Sequence, residues 1–423
     1  MKLKILRSFA QLNFAILLLL IIAGFSILGT IIEQDQIFDY YIQAYSDIPI
    51  YGNFTLSNLV LFFGIDHIYK TWWFLSLLFL FGVCLISCTY TQQFPSLKLA
   101  RRCNFKSNFK ALKSQEYFSV LNSRSFFTCL LNFKSTKYNI FHQKNVVYLY
   151  RGILGRFAPI VVHFSMILIL LGNTITAFGS FNSQELIAKG EVFNIQNLIS
   201  KTFFTNVPNY PVRVNDFWVE YGSKNNINQF YSNLSILNES GNEIIRKTIS
   251  VNFPLQFRNL TFYQTDWNIS GLRIFFENRI YQLPILALGK AKNIWISWIP
   301  SLNSEENGII FITNNLTGNF SLYDFMGNFL GTFNLNDKIL NFENFKILEL
   351  ISETGLQIKA DPGIPLIYFG FLILMISSLI SYFSFTQFWL VKNKEKIFIG
   401  ATSNRAKLNL RIEFLNLTLP YLA

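Results

Sequence analysis

The stretch FAPIVVHFSMILILLGNTITAFGSFNSQ, Phe157 to Gln184, holds a single titratable side chain, His163, between Arg156 and Glu185. It exceeds the roughly 20 apolar residues needed to cross the hydrocarbon core as a helix. An ionisable ring inside a bilayer is costly unless something satisfies or uses it, so His163 is the first candidate for function. Imidazole is also the commonest metal ligand, and the chain has only 3 histidines.

Three further windows lack Asp, Glu, Lys and Arg: Ser8–Ile32, Thr71–Leu97 and Pro362–Val391. The composition agrees with four membrane spans. Hydrophobic residues make up 51%, charged residues 14%, and mean hydropathy is +0.32, where a soluble chain carries about 25% charged residues. Lys2, Lys4 and Arg7 precede the first window as they would a signal peptide. The run is long, however, and Phe25 to Thr30 offers no small-x-small cleavage site, so a retained helix is expected. No Ser/Arg-rich transit segment precedes it, which suits a bacterial or organelle-encoded protein. The abundance of Phe, Ile, Asn, Lys and Tyr points to an AT-rich genome such as a plastid's.

Charge sets the expected orientation. Residues 98–156 carry twelve Lys and Arg, from Lys98 to Arg156, against Glu116 alone. The N-terminus and the tail (Lys392, Lys394, Lys396, Arg405, Lys407, Arg411) are basic too, so all three are expected on the inner side. Residues 185–361, nearly balanced, belong on the other side. Because the basic residues follow this topology, the net charge of +12 does not call for nucleic acid. None of Cys84, Cys88, Cys103 and Cys129 falls in the large outer region, which disfavours outward dithiol exchange. Cys84-x-x-x-Cys88 lacks redox or zinc spacing.

The expected organisation is an inner N-terminus and first helix at 1–32, an outer loop at 33–70, and a second helix at 71–97. A basic inner segment follows at 98–156, then a third helix at 157–180, a β-rich outer domain at 181–361, a fourth helix at 362–388 and an inner tail at 389–423. Within the loop, Leu56–Ile68 suits an interfacial segment, and Trp72-Trp73 an aromatic anchor. Asn145–Tyr150 alternates as a short strand. In the outer domain, residues 230–237 and 244–253 alternate around the turn signal Asn238–Asn242, and 308–313 and 342–350 resemble further strands. The fold class is a membrane protein with four transmembrane α-helices and a large all-β domain, sandwich or barrel-like, between helices three and four. Several Asn-x-Ser/Thr triplets, at Asn233, Asn238, Asn259, Asn268 and Asn315 among others, are chance matches in so Asn-rich a chain, and no repeat of 20–50 residues occurs.

Several stretches in order resemble the ResB-type cytochrome c biogenesis family: Gly29–Asp35, Trp72–Cys88, Gly155–His163, Val251–Leu255, Tyr263–Trp267 and Thr354–Gly363. The resemblance runs over essentially the whole chain. The resemblance implies a subunit of a heme-delivery and ligation complex in plastids, cyanobacteria and other bacteria. Such a subunit helps carry heme b across the membrane and hold it for thioether attachment to apocytochrome c. It also implies a partner, a CcsA-type membrane subunit with a Trp-rich heme-binding motif, which this chain lacks. Phe253 departs from the family pattern, where a histidine is expected. The localisation implied is a plastid thylakoid membrane or a bacterial inner membrane, multi-pass, with the large domain in the lumen or periplasm.

Under this resemblance His163 is the candidate axial ligand to heme iron, about five residues into helix three and so about 7–8 Å from its inner end. The alternative is a packing histidine bonded to Asn13 or a backbone carbonyl. Pro159, Met166, Leu170 and Asn173 are expected on its helix face. Met166 reads as core rather than ligand, and Asn173 as a helix–helix hydrogen-bonding residue. His67, at the outer edge, is a second ligand candidate, whereas His142 reads as solvated. Asp361 is either functional or the N-cap of helix four. Trp267 and Tyr263 are expected to fill the β core. No self-contained active site is visible; any catalysis would be positional, bringing heme vinyls and target thiols together. The competing role is an assembly scaffold that binds apocytochrome c without ligating heme.

Overall fold

The computed structural model describes residues 2–36, 38–45, 49–51, 54–122, 126–202, 204–222, 226–276, 278–288, 294–300, 308–337, 345–393 and 396–421. Four helices among them are long and apolar enough to cross a membrane: Leu12–Ile31, Trp72–Arg101, Leu154–Gly179 and Ile364–Ser381. The chain divides into two units. One holds residues 1–34, 45–176 and 363–423, the other 35–44 and 177–362.

In the first unit the spans meet through small residues, as membrane helices do when backbones must approach closely. A Cβ on Gly172 would lie 2.6 Å from Ile367, and one on Gly370 2.7 Å from Ile169. These contacts join the third and fourth spans. Gly29 plays the same part against Ile68 and Tyr69, beside the first span. Leu18, Ile22, Phe74, Phe81 and Leu85 form the apolar centre, and Met166, Ile167 and Leu170 pack on it. Leu56–Phe63 is a short helix ending at Gly64, whose φ of 66° needs no side chain to be accommodated.

The fourth span differs from its expected extent. It ends at Ser381, and Thr386–Asn393 is a strand. The apolar, uncharged run to Val391 reads like membrane helix, but its last six residues, 386–391, lie in the central strand of a sheet. That antiparallel sheet has the order 117–122, 396–403, 386–393, 146–151, 139–143. Residues expected as a basic segment and a separate tail therefore form one domain. Phe388 and Leu390 face a core with Val147, Leu149, Phe133 and Phe414, capped by helices Phe126–Ser135 and Lys407–Thr418. Trp389 and Tyr148 face the other side with Leu112. Burying each of these large side chains contributes about 1.5–3 kcal/mol. The Trp389 indole N–H donates to the carbonyl of Asn104 (2.7 Å), a partner that lipid could not supply. His142 is exposed on the edge strand Asn139–Gln143, as expected of a solvated residue.

The helices join this sheet under tight constraint. A Cβ on Gly152, where φ is +80°, would fall 2.1 Å from the Ser384 carbonyl oxygen. One on Gly155 would fall 1.8 Å from that of Phe383. The start of the third span and the end of the fourth are thus packed backbone to backbone.

The second unit is all β among the described residues of 181–360. The strands Leu260–Phe276 and Lys346–Ala360 pair along most of their length. Their lower halves, with Phe181–Ala188, pack on the four-stranded sheet that includes 212–221, 227–237 and 243–250. Their upper halves pack on the meander from Leu286 to Asn334. Two sandwiches thus share one long ribbon, more specific than the sandwich or barrel expected. Register shifts between Gln264 and Asp266 and between Ile269 and Gly271 move the buried alternation. The buried positions run Leu260, Phe262, Gln264, then Ile269, then Leu272 and Ile274. The turn at Asn238–Asn242 is as expected, closed by Asn242 N–H donating to Asn238 Oδ1 (2.8 Å). Residues 342–344 of the last expected strand lie outside the described residues.

Gly155→Ala should lower stability by about 1–3 kcal/mol through overpacking against Phe383, read as an earlier thermal transition of the detergent-purified chain. Gly24→Ala, with nothing within 4 Å of its Cβ, should stay within about 0.5 kcal/mol of wild type. Equal behaviour of the two variants would contradict the close approach.

Candidate functional site

His163 lies nine residues into the third span, which begins at Leu154, so it is about 14 Å from that end. This is deeper than the expected start at Phe157 places it, because the helix is built back to the sheet junction. Its ring meets the second span where that helix leaves α geometry. Thr89–Gln93 forms a π-helical turn between Trp72–Cys88 and Phe94–Arg101. Such turns widen the helix by one residue and concentrate at functional sites.

The turn aims two side chains at the imidazole. Thr89 Oγ1 lies 2.9 Å from His163 Nδ1, and Gln93 Nε2 lies 2.9 Å from His163 Nε2. Thr89 Oγ1 donates to the Leu85 carbonyl (2.7 Å), and so must accept from Nδ1–H. The same carbonyl lies 3.3 Å from Nδ1. Nε2 is then the unprotonated nitrogen and accepts from the Gln93 amide. A metal-ligating histidine has this arrangement, with one N–H held by a protein oxygen and the other nitrogen presenting its lone pair. The Gln93 amide is not anchored at its far end, because Oε1 is buried with no hydrogen-bond partner. Moving it off Nε2 costs about one hydrogen bond, 0.5–1.5 kcal/mol.

Sequence reasoning did not identify Thr89 and Gln93. The signal available was the run Thr89-Tyr90-Thr91-Gln92-Gln93, uncharged but rich in hydrogen-bonding groups inside an apolar window. The packing alternative named Asn13 or a backbone carbonyl; the carbonyl is Leu85's, and the side-chain partners are these two. Of the residues expected on the His163 face, Met166 and Leu170 do pack toward the second span. Asn173 does not; it is exposed. Ten residues at about 100° each carry Asn173 to about 80° from the direction of His163, off the shared face.

His67 sits in the turn Ile65–Lys70 with non-helical φ and ψ of −141° and 43°. Its Nδ1 is 2.8 Å from Asp66 Oδ2, and its side chain is 47% exposed. The carboxylate therefore holds Nδ1. Asp361 is not the N-cap of the fourth span. Gly363 holds that position, and no side chain caps the helix. A Cβ there would lie 2.2 Å from both the Gly172 carbonyl oxygen and Thr176 Oγ1, so close packing rather than capping decides the residue. Trp267 does fill core, 5.0 Å from the Trp295 ring, but Tyr263 is 37% exposed, with Lys359 over its ring. Cys129 is fully buried, and burial pushes its thiol up to about 11.

Four apolar spans, a tandem β-sandwich domain between the third and fourth, and a histidine within the third span define a multi-pass membrane protein with a large β domain. The ResB-like family model matches residues 12–294 and 318–415. The chain is 46% identical over 419 residues to the cytochrome c biogenesis protein Ccs1 of Thalassiosira pseudonana, covering 99% of this chain and 100% of that one. It is 46% identical over 416 residues to Ccs1 of Phaeodactylum tricornutum (98% and 99% covered). It is 38% identical over 420 residues to cytochrome c biogenesis protein CcsB of Microcystis aeruginosa (98% and 94% covered). The chain belongs to the ResB-like family.

A double-mutant cycle between Thr89→Val and His163→Leu should return a coupling of about 0.6 kcal/mol, the usual size for a hydrogen bond between spans. Thr89→Ser should behave as wild type. Coupling indistinguishable from zero would remove the hydroxyl from the network.

Proposed function

We propose that this protein takes part in cytochrome c biogenesis by binding heme through His163 and helping to pass it across the membrane for attachment to apocytochrome c. The names of its full-length relatives support the process. One observation supports the ligand role: Nδ1 of His163 is held by Thr89 and Leu85, while Nε2 faces only a displaceable amide. Heme is the cargo here. The iron would take the place of the Gln93 amide on Nε2, and a shift within the π-helical turn moves that amide without unwinding the span. The second axial ligand and the thioether-forming site belong, in this reading, to a CcsA-type Trp-rich partner. The catalytic contribution is positional. His67, with Nδ1 held by Asp66, is the candidate for an outer contact with heme.

The lysine asymmetry supports an orientation with the sheet domain of 117–151 and 386–403 on the stromal or cytoplasmic side and the large β domain in the lumen or periplasm. Diatom, red algal and cyanobacterial relatives are compatible with a plastid thylakoid membrane.

His163→Gly should lower the heme co-purifying with the complex and impair cytochrome c maturation while the protein still accumulates, and added imidazole should partly restore both. His163→Gln keeps polarity and much of the volume. Normal heme content and maturation in that variant would favour the scaffold role, in which the β domain binds apocytochrome c and heme is never ligated.

Single-cysteine probes at Ser107 should label only from the stromal or cytoplasmic side, and probes at Ser240 only from the opposite side. The reverse pattern would overturn the orientation.

A further inference from the structure

The second and third spans make another polar contact nearer their basic ends. Arg156 precedes His163 by seven residues on one helix. Seven residues are close to two turns, so the two side chains share a face about 10.5 Å apart along the axis. Arg156 Nη1 donates to Ser96 Oγ (3.0 Å), three residues beyond Gln93. Thr89, Gln93 and Ser96 on one span therefore face His163 and Arg156 on the other in a single polar seam.

The arginine is incompletely satisfied. Its Nε–H is buried without an acceptor, and among the described residues no carboxylate is paired with it. Its guanidinium lies over the Phe385 ring, 5.6 Å from the centroid. Arg405 follows Asn404, whose N–H donates to the Phe385 carbonyl (3.2 Å), and itself donates to the Ser381 carbonyl at the end of the fourth span, so both cations are placed about Phe385. Two cations beside each other, one with a buried unpaired N–H, cost stability unless an anion joins them. The planar fork of arginine matches a carboxylate, with which it forms two parallel hydrogen bonds.

We propose that Arg156, with Arg405 beside it, receives the propionate carboxylates of the heme whose iron His163 binds. This rests on the reading of His163 as ligand. Both propionates leave one edge of the macrocycle, and the ring plane lies across the iron–nitrogen bond, hence roughly along the helix. The carboxylate edge can then reach the level of Arg156, about two turns from the iron. The opposite orientation would set both carboxylates among the Leu, Ile and Phe side chains of the mid-span, where charge is costly. The seam thereby fixes which edge of the heme points toward the basic end and favours the free diacid over its esters.

The test titrates the detergent-purified full-length chain with hemin and with hemin dimethyl ester, following the Soret band. Wild type should prefer hemin by about ten-fold or more, the size expected of hydrogen bonds to a charged group. Arg156→Gln should lower hemin affinity about ten-fold and leave ester affinity and the histidine-ligated spectrum unchanged. Arg156→Lys should keep part of the preference, and Arg405→Gln, which leaves the third span intact, should reduce it. An undiminished preference for hemin in both Arg156→Gln and Arg405→Gln would overturn the proposal while His163 still stood as ligand. A His163→Gln variant with the wild-type Soret band would overturn the reading of His163, and the proposal with it. Equal affinity of wild type for hemin and ester, with Arg156→Gln instead losing binding to phosphatidylglycerol nanodiscs, would assign the two arginines to a lipid phosphate and overturn it as well.

Discussion

The pairing of residues 386–391 with 146–151 is the constraint on which the first unit depends. It joins the strand that leads into the third span to the strand that leaves the fourth. With Gly152 and Gly155 against the carbonyls of Ser384 and Phe383, it sets where both helices meet the sheet. The third span begins at Leu154 for that reason. The depth of His163 and the position of Arg156 two turns earlier follow from the start point and the 1.5 Å rise per residue.

Between the second and third spans, polar side chains pair across one seam. His163 bonds to the π-helical turn, and Arg156 bonds to Ser96. The π turn matters because a regular α-helix places residues four apart on one line, whereas Thr89 and Gln93 straddle the ring to reach its two nitrogens. The seam leaves two defects, the buried Gln93 Oε1 and Arg156 Nε. Unsatisfied buried groups in a native protein call for an explanation, and a ligand that is absent part of the time is one. Apolar contacts elsewhere in the spans, and the glycine contacts of the third span with the fourth, hold the frame.

Much of the fold was legible along the chain. Charge-free windows marked the four spans, and alternation with Asn and Gly punctuation marked the hairpin at 227–250. The strand at 260–276 was harder to read, because two bulges shift its alternation by one residue each. The strand at 386–393 was misread because an uncharged apolar run has the same composition in lipid as at the centre of a sheet. One of its two neighbours in the sheet, 146–151, lies about 240 residues back along the chain, and the other, 396–403, falls in the stretch expected as a basic tail, so no local pattern distinguishes the two. Arg156 was visible as a charge and Gln93 as a polar residue, but nothing local showed that they face His163.

The sequence by itself determined that the chain is membrane-embedded, that the β-rich region falls between the third and fourth spans, and that His163 is a histidine inside a span. These depend on composition and on near-neighbour periodicity, which the chain carries in one dimension. The tertiary structure decided the rest. It built one sheet from the basic segment and the tail, divided the large domain into two sandwiches on shared strands, and set Thr89, Gln93 and Arg156 around or beside His163. Each is a contact between residues far apart in the chain, chosen by which buried polar groups can be satisfied and which surfaces can close-pack, and neither is written in local pattern.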